Sequence, residues 1–247
     1  MISVNEHSQT VTRPASESTA TLHEFLRLLR LNHFNAAPMP IALDEEHETL
    51  SLVAGKTFDS VLDAEMGSEQ ALISAARLLR QFHDASAKTL KYLPAVQHWS
   101  LPVRQPVEVI CHGDFAPYNV ALAGGEVKGV YDFDTAHPAP RVWDLAYALY
   151  CWCPFKTADG DRMGDIESQI ARAVLFCQHY GADAAQREAL VETMIARLDA
   201  LISFMEEQAK HNPKFAQNIA DGHHLAYQQD MAYLKAHRDK ITTALVK

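Results

Sequence analysis

An α+β fold, with a small mixed piece followed by a larger helical one, is what the sequence predicts, and two observations carry that expectation. Short β-rich runs recur through the first half: Pro40–Leu43, Glu48–Val53, Val107–Cys111 and Val130–Phe133. From Asp165 onward every apolar stripe has helical spacing, as in Ile166, Ile170 and Val174 or Leu190, Met194, Leu198, Leu201 and Met205. The 247 residues suffice for one large domain or two small lobes that share a cleft.

The elements follow in order. Residues 1–13 read as one or two short strands, a hairpin turning near Asn5-Glu6-His7. Pro14 to Thr19 is a helix entry with Ser18 or Thr19 as N-cap, and Leu22, Phe25, Leu26 and Leu29 form the buried face of that helix. Strands are expected at Pro40–Leu43 and Glu48–Val53, and Gly55 ends the pattern. An amphipathic helix is expected from about Ser68 to His83, then a proline-rich connection over 93–107. Asn119–Leu122 and Val127–Val130 flank the turn Ala123-Gly124-Gly125-Glu126, a hairpin signal.

Bulk composition narrows the function classes. Hydrophobic residues make up 48% and charged ones 21%, as in an ordinary globular enzyme. A net charge of −9 argues against nucleic acid as a partner, because phosphate-binding surfaces need clustered Lys and Arg. The same charge draws in cationic ligands. Cys111, Cys151, Cys153 and Cys177 have no zinc spacing and suggest no disulfide framework. The start, MISVNEHSQT, lacks the basic and apolar blocks of a signal peptide, and the longest apolar run, Leu145 to Phe155, is too short to span a bilayer. A cytoplasmic protein with no membrane partner is expected. Oligomeric state is not legible.

The chemistry is concentrated in His112-Gly113-Asp114-Phe115-Ala116-Pro117-Tyr118-Asn119 and Val130-Tyr131-Asp132-Phe133-Asp134. An Asp and an Asn lie five positions apart in a loop after a strand, and a further Asp lies on the next hairpin. Phosphoryl transfer needs a carboxylate to orient the attacking hydroxyl and hard oxygen ligands to hold magnesium on the phosphates. Asp114 suits the first task; Asn119 and Asp132 suit the second. A rival reading takes His112, Asp114, Asp132 and Asp134 as a metallohydrolase centre, which leaves Asn119 and the Arg141-x-x-Asp144 segment without a task.

The string HGDFAPYN resembles the catalytic loop of the aminoglycoside phosphotransferase and choline kinase-like family. YDFDTAHPAPRVWDLAYAL resembles its metal-binding segment and the helix that follows. More loosely, TVTRPASESTATLHEFLRLL and ETLSLVAGKT are similar to its N-terminal lobe, and GHHLAYQQDMAYLKAHR to its last helix. The resemblance covers nearly the whole chain, with about 40 central residues specific. It implies a protein-kinase-like fold, with a reduced nucleotide-binding lobe over 1–54 and a helical lobe over 55–247. It implies Asp114 as catalytic base, Asn119 and Asp132 as magnesium ligands, and Asp144 as a buried carboxylate bracing the loop. ATP or another nucleoside triphosphate would be the phosphoryl donor, its base against Glu48–Val53 with the Ser51 carbonyl and Val53 amide as hinge contacts.

Two departures refine this expectation. Gly113 stands where regulated protein kinases carry an Arg, and only residues 133–143 separate Asp132 from Asp144, so the acceptor is expected to be a small molecule, and a cationic one. Asp161, Glu206, Glu207 and Asp230 are the carboxylates considered for it. The first glycine is Gly55 and the first lysine Lys56, so no Gly-rich loop or strand lysine precedes them. Arg13 is the early cation in a suitable place, with Glu24 on the next helix as its candidate partner. That reduction opens an alternative, a catalytically silent kinase-like binding protein that no longer holds ATP.

Overall fold

The structure, a computed structural model, describes residues 2–247. The chain forms two compact units, Met1–Asp144 and Leu145–Lys247. In the first, β1 (Ser3–Asn5) and β2 (Thr10–Pro14) make an antiparallel hairpin. Helix α1 (Thr19–Leu31) follows, then β3 (Pro40–Leu43) and β4 (His47–Ser51), giving a four-stranded sheet ordered β1-β2-β4-β3. The strand expected over Glu48–Val53 stops at Ser51 because its partner β2 begins at Thr10, which lies opposite Ser51. The next amide, Leu52, instead donates to the carbonyl of Gln9.

Helix α2 (Glu69–Thr89) is capped by Ser68, whose hydroxyl accepts the Ala71 amide. It runs six residues beyond the expected His83 end. The extra turns bury Ala85, Ser86 and Thr89, residues too small or polar to register as an apolar stripe. Ser86 earns its place by bonding both backbone groups of Ile110 on β5 (Val109–Cys111). A hairpin of β6 (Val120–Ala123) and β7 (Glu126–Val130) follows the expected Gly-Gly turn. The apolar run expected to continue to Phe133 instead ends as a strand at Val130. Phe133–Thr135 is a 3-10 turn, and β8 (His137–Ala139) then pairs antiparallel with β5.

The core of this unit is aromatic. Phe82 meets Phe25, Phe34 and Phe133 at centroid distances of 6.2, 5.5 and 5.8 Å in edge-on or tilted geometry, which favours ring edges against ring faces. His112 packs on Phe133 at 4.7 Å. This cluster fixes the floor beneath the 112–119 loop.

Helix α3 (Arg141–Trp152) leads into the second unit, which contains α4 (Ile166–Tyr180), α5 (Ala184–Ala209), α6 (Pro213–Ala220) and α7 (His223–Val246). The expected helical character holds throughout. Asp165 caps α4, Asp183 and Gln186 form a reciprocal capping box on α5, and Gly181 ends α4 in left-handed backbone. All four cysteines are buried and none forms a disulfide. Among the described residues, no helix is long and apolar enough to cross a membrane.

Candidate active site

Strand β5 delivers the chain directly into His112-Gly113-Asp114, and three supports hold that loop. Asp144, fully buried at the start of α3, accepts the His112 amide at 2.7 Å on one oxygen and the Gly113 amide at 2.9 Å on the other. His83 Nε2 adds a third bond at 3.0 Å. Burial alone would raise the Asp144 carboxyl, but the hydrogen bonds from His83 and from the His112 amide bring it down to about 2. Burial lowers His83 below its ordinary range, so a neutral ring donates Nε2–H to Asp144. Gly113 has φ +82, and a Cβ there would lie 2.3 Å from the Thr135 carbonyl oxygen. The Thr135 hydroxyl in turn donates to the His112 carbonyl.

His112 has both ring nitrogens occupied. Nδ1 accepts the Asp114 amide at 3.2 Å, so Nε2 carries the proton and donates to the Tyr131 carbonyl at 2.9 Å. Neither is left for a metal, which removes His112 from the metallohydrolase arrangement. It ties the 112–119 loop to the strand that leads into Asp132.

Asp114 and Asn119 meet side chain to side chain. Asn119, buried at the end of the 117–119 turn, donates Nδ2 hydrogens to the Asp114 carbonyl and to Asp114 Oδ2, each at 2.9 Å. The amide oxygen of Asn119 is thereby turned away as a remaining acceptor. Asn119 also accepts the Tyr131 amide through its carbonyl, which ties it to the residue just before Asp132. Asp132 stands in left-handed backbone, φ 63 and ψ 66, one of three non-glycine residues with positive φ among those described.

Arg13 joins β2 to that segment. Its Nε donates to Glu48 Oε1 at 2.8 Å, while its terminal nitrogens reach Asp132 at 3.1 Å and Asp134 at 2.6 Å. The partner is Glu48 on β4, not Glu24 of α1, which lies 3.9 Å from Arg27 on the exposed face. Arg13 and Glu48 sit opposite each other in the β2–β4 register, which explains the pairing. His23 of α1 donates to the other Glu48 oxygen at 2.8 Å. Burial works to raise Glu48, and the His23 bond and Arg13 hold its carboxyl below the usual range. Sequence reasoning missed Glu48 and His23, because the pairing of Glu48 with Arg13 follows from the β2–β4 register, which no local spacing encodes, and His23 enters through Glu48.

Arg13, Ser51, Val53 and Asp132 all line one cleft of about 390 Å³, whose other walls include Val11, Leu50 and Leu52. The cleft is apolar at the β4 end and charged at the Arg13–Asp132 end. Ser51 itself is tied to Met39 through both its amide and its hydroxyl. No described residue accepts the Val53 amide. The hairpin turn above β2 has closed on itself: Asn5 Oδ1 accepts the amides of His7 and Ser8 at 3.1 Å each. In the second unit, Asp230 is buried and already receives Tyr150, the Thr157 amide and the Thr157 hydroxyl. It is a structural carboxylate and leaves the set considered for a cationic acceptor.

This fold and loop have known counterparts. Residues 89–165, which carry Asp114, Asn119, Asp132 and Asp144 but not Arg13, match the phosphotransferase enzyme family. A homoserine kinase of Zymomonas mobilis is 41% identical over 70 residues, an alignment covering 28% of this chain and only 20% of that relative. Among solved structures, an ethanolamine kinase of Plasmodium vivax superposes with TM-score 0.62 at 16% identity, over 92% of this chain and 75% of its own. A choline kinase of Cryptosporidium parvum gives 0.62 at 9%, covering 96% and 85%. An aminoglycoside phosphotransferase of Streptomyces rimosus, solved with ADP and streptomycin, gives 0.52 at 15%, covering 81% and 89%. The fold is therefore the protein-kinase-like one of the choline kinases and aminoglycoside phosphotransferases. The family that the catalytic-loop resemblance named is the family whose model the central segment matches.

Proposed function

We propose that the protein is a kinase that moves the terminal phosphoryl group of ATP, with magnesium, onto a hydroxyl of a small molecule. The observation that carries this reading is the direct Asp114–Asn119 side-chain bond, knitted through Tyr131 to an Asp132 that opens on the 390 Å³ cleft. Asp114 would be the catalytic base, aligning the acceptor hydroxyl and taking its proton as the oxygen–phosphorus bond forms. Asn119 and Asp132 fit magnesium: the amide nitrogen of Asn119 already bonds Asp114, leaving oxygen for a hard cation, and Asp132 offers a full carboxylate. When bound, that ion would neutralise charge on the transferring phosphate. Arg13 would add its guanidinium at the phosphate end of the cleft. The base would lie against Val11 and Leu50, within reach of the Ser51 carbonyl and the Val53 amide. In this reading residues 1–54 are the nucleotide half and 55–247 hold catalysis and the acceptor, working in the cytoplasm.

The acceptor is proposed to be cationic, supported by the −9 charge and by structural relatives named for ethanolamine, choline and aminoglycosides. One observation favours the silent alternative: the β1–β2 turn donates two of its amides to Asn5, the groups a phosphate would otherwise recruit. A thermal-shift screen of nucleotides with magnesium separates the two readings. A shift with ATP and magnesium, followed by Asp114-dependent ATP consumption across amines, amino alcohols and aminoglycosides, is the expected result. No shift with any magnesium–nucleotide would make the protein the silent form.

A further inference from the structure

Asp114 offers its two oxygens to different surroundings. Oδ2 receives Asn119 Nδ2 at 2.9 Å, and Asn119 is 5% exposed, so this oxygen faces the interior. Oδ1 receives the hydroxyl of Tyr118 at 2.7 Å, and Tyr118 is 39% exposed. The oxygen on the solvent side, where an incoming hydroxyl must dock, is thus already holding a hydroxyl from the protein itself.

The local fold holds the backbone of Tyr118 and leaves its ring partly exposed. Tyr118 lies in the Pro117–Asn119 turn, with its carbonyl accepting the Tyr131 hydroxyl at 2.8 Å. Its exposed side chain can swing off Asp114 without opening a core. The bond it would give up runs to a carboxylate, so it is strong enough to hold the seat and weak enough to be displaced.

We propose that the Tyr118 hydroxyl occupies the seat of the acceptor hydroxyl on Asp114 Oδ1 and keeps water out of it until an acceptor arrives. Tyr118 is then the residue that sets the preference for acceptor over water. This rests on the kinase reading. In productive transfer the acceptor oxygen bonds to the terminal phosphorus, the bond from that phosphorus to the bridging oxygen breaks, ADP leaves, and the acceptor proton passes to Asp114. With water in the same seat the balance is identical and the product is inorganic phosphate.

Tyr118→Phe keeps the ring and removes only the hydroxyl. ATP hydrolysis without acceptor should rise about ten- to a hundredfold, the scale of one hydrogen bond to a charged group. Hydrolysis that is unchanged, or that falls together with transfer, would overturn the inference and leave Tyr118 as a prop for Asp114. The double variant Tyr118→Phe, Asp114→Asn should lose the added hydrolysis; its persistence would show that the gain does not pass through the base, and would equally overturn the inference. The wild type and Asp114→Asn keep the two readings apart. A wild type that transfers phosphate, and loses it in Asp114→Asn, sustains the kinase reading whatever Tyr118 does. A wild type that neither transfers nor hydrolyses overturns that reading and this inference with it.

Discussion

Asp132 carries both a charge and an awkward backbone, and the two must be separated in any test of its role. Left-handed φ at a non-glycine residue costs about 1 kcal/mol or more, and Asn tolerates it better than Ala. Asp132→Asn should therefore keep the fold and weaken magnesium-dependent nucleotide binding more than Asn119→Ala does, because it removes full charge. Calorimetry with and without magnesium checks this, and affinities that never depended on magnesium would remove both from the metal. Arg13→Ala should weaken nucleotide binding by about 1.5–3 kcal/mol, the range of a charge-assisted hydrogen bond. Glu48→Gln should act in the same direction by releasing the guanidinium, and the double variant should lose little more than Arg13→Ala alone. Fully additive losses would mean that Glu48 does not act through Arg13. Asp114, Asn119 and Asp132 could be nominated from the sequence because the chemistry asks for particular residue types at a set spacing along the chain. Glu48, His23 and Tyr118 could not, since their meaning comes from cross-strand register and from one hydroxyl's direction.

Elements were legible where periodicity is strong and illegible where pairing decides. Strand β8 contains Pro138, which reads as a breaker, yet a proline can stand at an edge when its carbonyl still accepts, here from Arg104. The loop between β5 and the 117–119 turn depends instead on tight approach. Gly113→Ala should cost about 2–4 kcal/mol, combining left-handed strain with overlap on Thr135. Gly124→Ala is its control: φ is +62 but nothing lies within 4 Å, so only about 1 kcal/mol should be lost. Equal midpoints in urea for the two variants would contradict the packing account. The Asp144 brace adds a pH signature. Its folded carboxyl lies at about 2 against an ordinary 3.8, so its stabilisation is complete above about pH 4 and is lost as pH falls through 2. Urea unfolding at pH 7 and pH 3 should differ less in Asp144→Asn, by about 1 kcal/mol, than in the wild type.

At the scale of the whole molecule, the β-rich runs and the helical apolar spacing foretold an α+β protein with a helical second half, and both hold. The order of the four-stranded sheet lay beyond sequence patterning, because short strands of four or five residues pair through long-range register that no local spacing encodes. Without glycine or lysine before residue 55, nucleotide affinity should be weak, with Kd in the high micromolar range or above, roughly −5 kcal/mol in binding energy. Sub-micromolar affinity by calorimetry would refute that expectation. The buried thiols supply a clock for the chain's own opening. Burial pushes Cys153 up, and Cys177 up to about 12, so neither presents a reactive thiolate in the folded state. Cys111 lies in the first compact unit and Cys151, Cys153 and Cys177 in the second. Alkylation followed by mass spectrometry therefore times the two units separately in one untagged sample. Magnesium with nucleotide should slow labelling of Cys111 in proportion to ligand occupancy. Cys177 slowed by the same factor would reveal that both units open as one; Cys177 left unchanged would give each unit its own lifetime.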